Sequence, residues 1–143
     1  MSMVAALNER KGPLTLAVTG EAESWLPAVE AIVGTRWLVT YRIERESHLL
    51  EVVREGLADA AVLDDESAWP VGALRMLRMV HRVNPMLPVV IVARSPDRRW
   101  LEDALRLEAF SVVNKPLALE ELLRQIQRIM RRLDQVLREQ DRW

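Results

Sequence analysis

Cysteine is absent from this 143-residue chain, which excludes disulfides, thiolate metal sites and a cysteine nucleophile together. Histidine is nearly as scarce: His48 and His81 stand alone in separate helical patterns and read as surface or packing residues rather than ligands. Lysine occurs only at Lys11 and Lys115, so the positive charge is almost entirely arginine and Lys115 stands out. Phenylalanine and tyrosine appear once each against five tryptophans. No run approaches the ~20 apolar residues of a membrane span, and the opening MSMVAALNERKG is too short and too weakly apolar for a signal peptide. A cytoplasmic protein with no membrane partner is the expectation. With a formal net charge of −1, there is also no global pull toward nucleic acid.

What is present is a regular alternation. Short apolar runs at Leu14–Thr19, Trp37–Ile43, Ala60–Leu63, Val89–Ala93 and Ala109–Val113 read as strands. Between them lie helical patterns: 21–34 with Ser24 as N-cap and Pro27 in the first turn, 47–57 capped by Ser47, and 71–83 with Leu74, Leu77 and Val80 inward and arginines on the other side. A fourth opens at Pro96-Asp97, with Trp100, Leu101, Ala104, Leu105 and Leu107 as its apolar side, and a long one runs from 117 to 143. Five strands alternating with five helices predict an α/β fold with a mainly parallel sheet, helices on both faces and an extended C-terminal helix. Expected boundaries are an N-terminal tail over 1–13, one domain over 14–130 and a helical extension over 131–143.

The stretch DAAVLDDESAWPVG, residues 59–72, holds the first candidate site. Ala60 to Leu63 reads as a strand buried on both faces, and Asp64, Asp65 and Glu66 stand where it emerges. In open α/β sheets the carboxyl ends of strands are where ligands and chemistry collect.

With these residues the chain resembles the receiver domains of bacterial two-component response regulators from Leu14 to about Arg131. Asp59 to Asp64 has the family's spacing from loop aspartate to phosphoacceptor, Gly72 falls eight residues past Asp64 as its loop glycine does, Pro88-Val89-Val90-Ile91 is similar to its fourth strand, and Lys115-Pro116 matches its Lys-Pro pair. The resemblance implies a flavodoxin-like five-stranded parallel sheet in the order 2-1-3-4-5. It also implies a phosphorelay chemistry in which an aspartate takes a phosphoryl group from a histidine kinase. An acidic pair after the first strand helps hold Mg2+, a lysine pairs with phosphate, and a hydroxyl after the fourth strand senses it.

This chain keeps Asp64 as acceptor and Lys115 as lysine. The acidic pair is replaced by Thr19-Gly20 with Glu21 one place late, the hydroxyl position is Ala93, and Val112 stands where the switch aromatic usually does. The usual proline is Ala68, with Pro70 displaced by two. The resemblance therefore implies a pseudo-receiver: no enzyme, no cofactor, and Asp64 retained as a strand-end carboxylate paired with Lys115. The alternative is a phosphorylatable regulator with Mg2+ held in a nonstandard way by Asp64 and by Asp65, Glu66 or Glu21. A small-ligand flavodoxin-like domain is a third reading, but Gly20 stands alone and no Gly-rich phosphate loop is present.

Surfaces supply the remaining leads. Trp69 and Trp100 are candidate interface anchors. In the last helix Leu119, Ile126 and Leu133 recur at seven-residue intervals, as do Leu122, Ile129 and Val136, and Leu123, Met130 and Leu137. This apolar band predicts association with a protein partner, a homodimer first of all. Its arginines are nearly cancelled by Glu120, Glu121, Asp134, Glu139 and Asp141, so no nucleic acid is expected.

Overall fold

The computed structural model describes residues 13–19, 25–34, 36–66, 71–116 and 118–141, the last of these as helical backbone alone from 135 onward. In chain order the elements are β1 (Leu14–Thr19), α1 (Leu26–Val33), β2 (Leu38–Ile43), α2 (Glu46–Arg54), β3 (Ala60–Asp64), α3 (Gly72–Val83), β4 (Val89–Ala93), α4 (Arg98–Arg106), β5 (Ser111–Asn114) and α5 (Leu119–Asp141). The strands form one parallel sheet in the order β2-β1-β3-β4-β5, as the resemblance implied.

Sequence and position in the sheet agree. The central strands β3 and β4, AAVLD and VVIVA, are buried at every residue, because helices cover both faces of a parallel sheet. The edge strands are more mixed: β2 buries only Leu38 and Ile43, and β5 only Val113. Alternate residues feed two separate cores. Leu14, Leu16, Val18, Val62, Val90 and Val92 point to the side covered by α1 and α5, whereas Ala17, Ala61, Leu63, Val89 and Ile91 point to the side covered by α2 and α3. Burying each of the larger side chains contributes roughly 1.5–3 kcal/mol.

The first core corrects one expectation. Leu122, Ile126 and Ile129, assigned from the heptads to an association face, are 0–1% exposed and pack onto the domain's own sheet, with Met130 beside them. Leu119, Leu123 and Leu133 lean against the same cluster. The sheet face between α1 and the β5 edge needs a cover, and this band provides it. Val136 and Leu137 belong to the residues described as backbone alone.

Helix ends differ from expectation in smaller ways. The first helix begins at Leu26 with Pro27 in its first turn, while Ser24 lies outside the described residues. Gly34, at φ 90°, ends it. In α2 the helix starts at Glu46, so Ser47 lies inside it and caps nothing. That helix ends at Arg54, and Leu57, expected on its apolar stripe, is 44% exposed beyond the turn. Asp97 does cap α4, accepting the Trp100 N–H at 2.8 Å. Of the apolar side expected for α4, only Ala104 is fully buried; Leu101 and Leu105 face outward and Trp100 and Leu107 are half-buried. The narrow contact reflects α4's place over the β4–β5 edge, where the sheet offers little surface. The last strand starts two residues later and ends one later than expected, Ser111–Asn114 in place of 109–113, since Ala109 still bonds back to the Ala104 carbonyl.

Candidate functional site

Parallel register brings the carboxyl ends of β1, β3, β4 and β5 to one edge. Asp64 pairs with Val92 and Ala93 with Asn114, so Lys115 emerges beside Asp64. The Lys115 N–H donates to the Ala93 carbonyl at 3.0 Å, and Asp65 N–H donates to Val92 at 2.9 Å, which fixes both chain exits against β4. At the opposite end of β3, Asp59 accepts the Thr15 N–H at 2.9 Å and sets the β1–β3 register.

Each of the three consecutive acids has a separate occupation. Asp64, 7% exposed, accepts from Lys115 Nζ at 2.8 Å and from the Glu66 N–H at 2.9 Å, both at Oδ1. Asp65 turns to α3 and accepts the Ala73 N–H at 3.1 Å, at the helix end where negative charge is favoured. There Gly72 has φ 76°, a conformation that favours glycine, which explains its place eight residues past Asp64. Glu66 accepts from Arg94 Nε at 2.9 Å and lies 3.4 Å from Lys115 Nζ.

The result is a chain of alternating charge, Asp64–Lys115–Glu66–Arg94. Hydrogen bonding from Arg94 is the main reason the Glu66 carboxyl is held below its ordinary value of 4.5; its partial desolvation opposes this, and the Lys115 charge adds to it. For Lys115, burial works against the charge. Its hydrogen bond to Asp64, with the attraction of Asp64 and Glu66, outweighs that and holds the amine above its ordinary 10.5.

Thr19 has a defined task. It is 3% exposed, and its Oγ1 accepts the Asp64 N–H at 2.9 Å. The position that the resemblance gives to an acid thus holds a neutral hydroxyl that ties β1 to the start of the acidic loop. Ala93, 2% exposed, contributes only its carbonyl, and Ser95 is exposed with φ 43°. Val112 is half-buried against the second core. Gly20, Glu21, Ala68, Trp69 and Pro70 lie outside the described residues.

Among the described residues no three His, Cys, Asp or Glu side chains converge as a metal set. Among the described residues the donors do not fit the Mg2+ that the fold family implies; Glu21, a further candidate, lies outside them. Asp64 is already turned to an ammonium, Thr19 to a backbone N–H, and Asp65 to the helix end. A dication bound at Asp64 Oδ1 would compete with Lys115 for that oxygen.

Arg94 was not singled out by sequence reasoning, although a base one residue past the hydroxyl position is a usable signal beside Asp-Asp-Glu. His81 was read as surface or packing. Both its ring nitrogens are in fact placed on backbone carbonyls, Nδ1 on Leu107 and Nε2 on Leu87, each at 3.0 Å. Trp100 is half-buried against the second core rather than displayed. No helix among the described residues is long and apolar enough to cross a membrane.

An open parallel α/β sheet with an acid and a lysine at its carboxyl edge defines the class. The solved structures similar to this chain narrow it. A CheY-like response regulator receiver domain protein from Methanospirillum hungatei JF-1 aligns with TM-score 0.73 at 13% identity, over 86% of this chain and 98% of that one. A response regulator receiver domain protein from Clostridium thermocellum aligns with TM-score 0.72 at 17% identity, over 86% and 98%. The non-phosphorylated HemR receiver domain from Leptospira biflexa aligns with TM-score 0.68 at 17% identity, over 82% and 94%. No family model matches the sequence, and no curated protein matches it. The chain has the fold of response regulator receiver domains.

Proposed function

We propose that this protein is a receiver-type signalling module that acts through protein–protein contact and without phosphorylation. One observation carries the reading: one oxygen of the acceptor-position carboxylate, Asp64 Oδ1, is already shared by Lys115 Nζ and the Glu66 N–H, inside a charge network that balances itself. A phosphoryl group on Oδ1 would displace Lys115, and one on either oxygen would find no hydroxyl at Ala93 to receive it. In this reading the module needs no cofactor, is not an enzyme, and lives in the cytoplasm with protein partners. A homodimer would use the part of α5 that runs on past Leu133, since the preceding apolar positions are spent on the domain core.

A second reading rests on the same pair. Lys115 at 2.8 Å from Asp64 is also where a phosphate-pairing lysine would stand, and a histidine kinase would then be the donor. Intact mass separates the two. After incubation with magnesium and a small phosphodonor, the parent protein and an Asp64→Asn variant are each expected to keep the mass they had before it. A gain of one phosphoryl group in the parent alone would sink the phosphorylation-independent reading.

A further inference from the structure

The arginines on the outer side of α3 take no part in the network above. Arg75, Arg78 and Arg82 fall at i, i+3 and i+7, so they stand on one side of the helix over about 10 Å of its axis. Their backs are fixed, because Ala73, Met76, Leu77 and Val80 are buried against the sheet. The neighbouring helix α4 adds Arg106 from across a groove of about 720 Å3. Asp103 is the one carboxylate in its lining, and Leu74, Met79 and Leu107 form an apolar strip between the charges.

Some exposed arginines elsewhere find carboxylates: Arg94 meets Glu66, Arg98 meets Glu102, and Arg124 meets Glu121. Among the described residues none of the four groove arginines has such a partner. Four guanidinium groups around one concavity repel one another, and a bound anion relieves that repulsion. The two walls also meet through one side chain. His81, on α3, places Nδ1 3.0 Å from the carbonyl of Leu107, which lines the α4 wall, and so spans the two walls.

We infer that the α3–α4 groove is a binding site for a compact anion carrying several phosphate groups. Guanidinium forks match phosphate oxygens two at a time, and arginines on both walls allow a ligand to be gripped from two sides. The volume falls in the range of roughly 300–1,000 Å3 usual for small-ligand sites. Duplex nucleic acid fits poorly, since its convex backbone would meet a recess, and the chain's net charge of −1 supplies no wider attraction. An acidic helix would need a longer row of apolar anchors than Leu74, Met79 and Leu107 offer.

The test uses the full chain, with inorganic tripolyphosphate and ATP as probes in the presence of a chelator, read by titration calorimetry and by the shift in Tm. Both probes are expected to bind with Kd below about 1 mM and to raise Tm. Equal affinities would assign recognition to the phosphate chain alone, and tighter ATP binding would assign the organic body to the apolar strip. An Arg78→Gln/Arg106→Gln variant, changed only at exposed side chains, is expected to keep the parent's Tm without ligand and to bind at least about tenfold more weakly. An Arg99→Gln variant, on α4 but outside the groove, is expected to bind like the parent. The inference fails if neither probe binds at about 5 mM, if the double variant binds as the parent does, or if an oligoglutamate peptide or a DNA duplex binds more tightly than ATP.

Discussion

Replacing Lys115 with methionine is the most direct probe of the strand-end network. The substitution keeps the length of the side chain and removes the one cation between Asp64 and Glu66. At 2.8 Å the Lys115–Asp64 attraction is about 6 kcal/mol with an effective dielectric of about 20, before desolvation is set against it. Removing one partner of a buried pair costs about 3–5 kcal/mol. Lys115 is 10% exposed and Glu66 44% exposed, so water takes up part of the loss, and a fall in stability of about 2–4 kcal/mol is expected. Asp64→Asn is expected to cost less, about 1–2 kcal/mol, because an amide oxygen still accepts the Glu66 N–H and Lys115 retains Glu66. The double variant should then lose less than the sum of the singles, with a coupling of about 1.5 kcal/mol or more. Urea unfolding at neutral pH reads all four proteins, and unchanged m-values show that the denatured states are comparable. A Lys115→Met protein within about 0.5 kcal/mol of the parent, or a coupling near zero, would refute a structural role for the pair.

Glu66 sets the acid-side behaviour. Its carboxyl is held below its ordinary value, so its contribution is full above that value and is lost as pH falls through the lower folded one; Glu66→Gln should flatten the parent's decline in urea midpoint between about pH 5 and about pH 3, and an unchanged slope would contradict the assignment. Lys115, held above its ordinary value, contributes fully at neutral pH and loses its contribution only as pH rises through its folded value in the alkaline range. Light scattering addresses the helix: the full chain should be dimeric and a chain truncated after Arg131 monomeric, and a monomeric full chain ends the dimer proposal.

Most of the fold was legible because its causes are local and repetitive. Unbroken apolar runs at Ala60–Leu63 and Val89–Ala93 admit few roles other than central strands, and the Pro96-Asp97 start of α4 fixed its cap. The acidic exit of β3 and the isolated Lys115 also drew attention to the right edge of the sheet. Less was legible where a residue's role depends on what faces it. The apolar positions Leu122, Ile126 and Ile129 recur like a dimer seam, and a sequence pattern cannot say whether the facing surface is another helix or the chain's own sheet. Ser47 had the chemistry of a cap without the position, since the helix begins one residue earlier.

By itself, then, the sequence determined the order of elements and the two-sided burial of the inner strands. Those follow from composition and spacing along the chain. Tertiary structure alone decided how each charge is used. It gave Asp64 to Lys115, Asp65 to the start of α3 and Glu66 to Arg94, turned Thr19 into the acceptor for the Asp64 N–H, and set Arg106 across from Arg75, Arg78 and Arg82. Hydrogen bonds and ion pairs act over a few ångströms, and residues dozens of positions apart come within that reach only when the sheet closes.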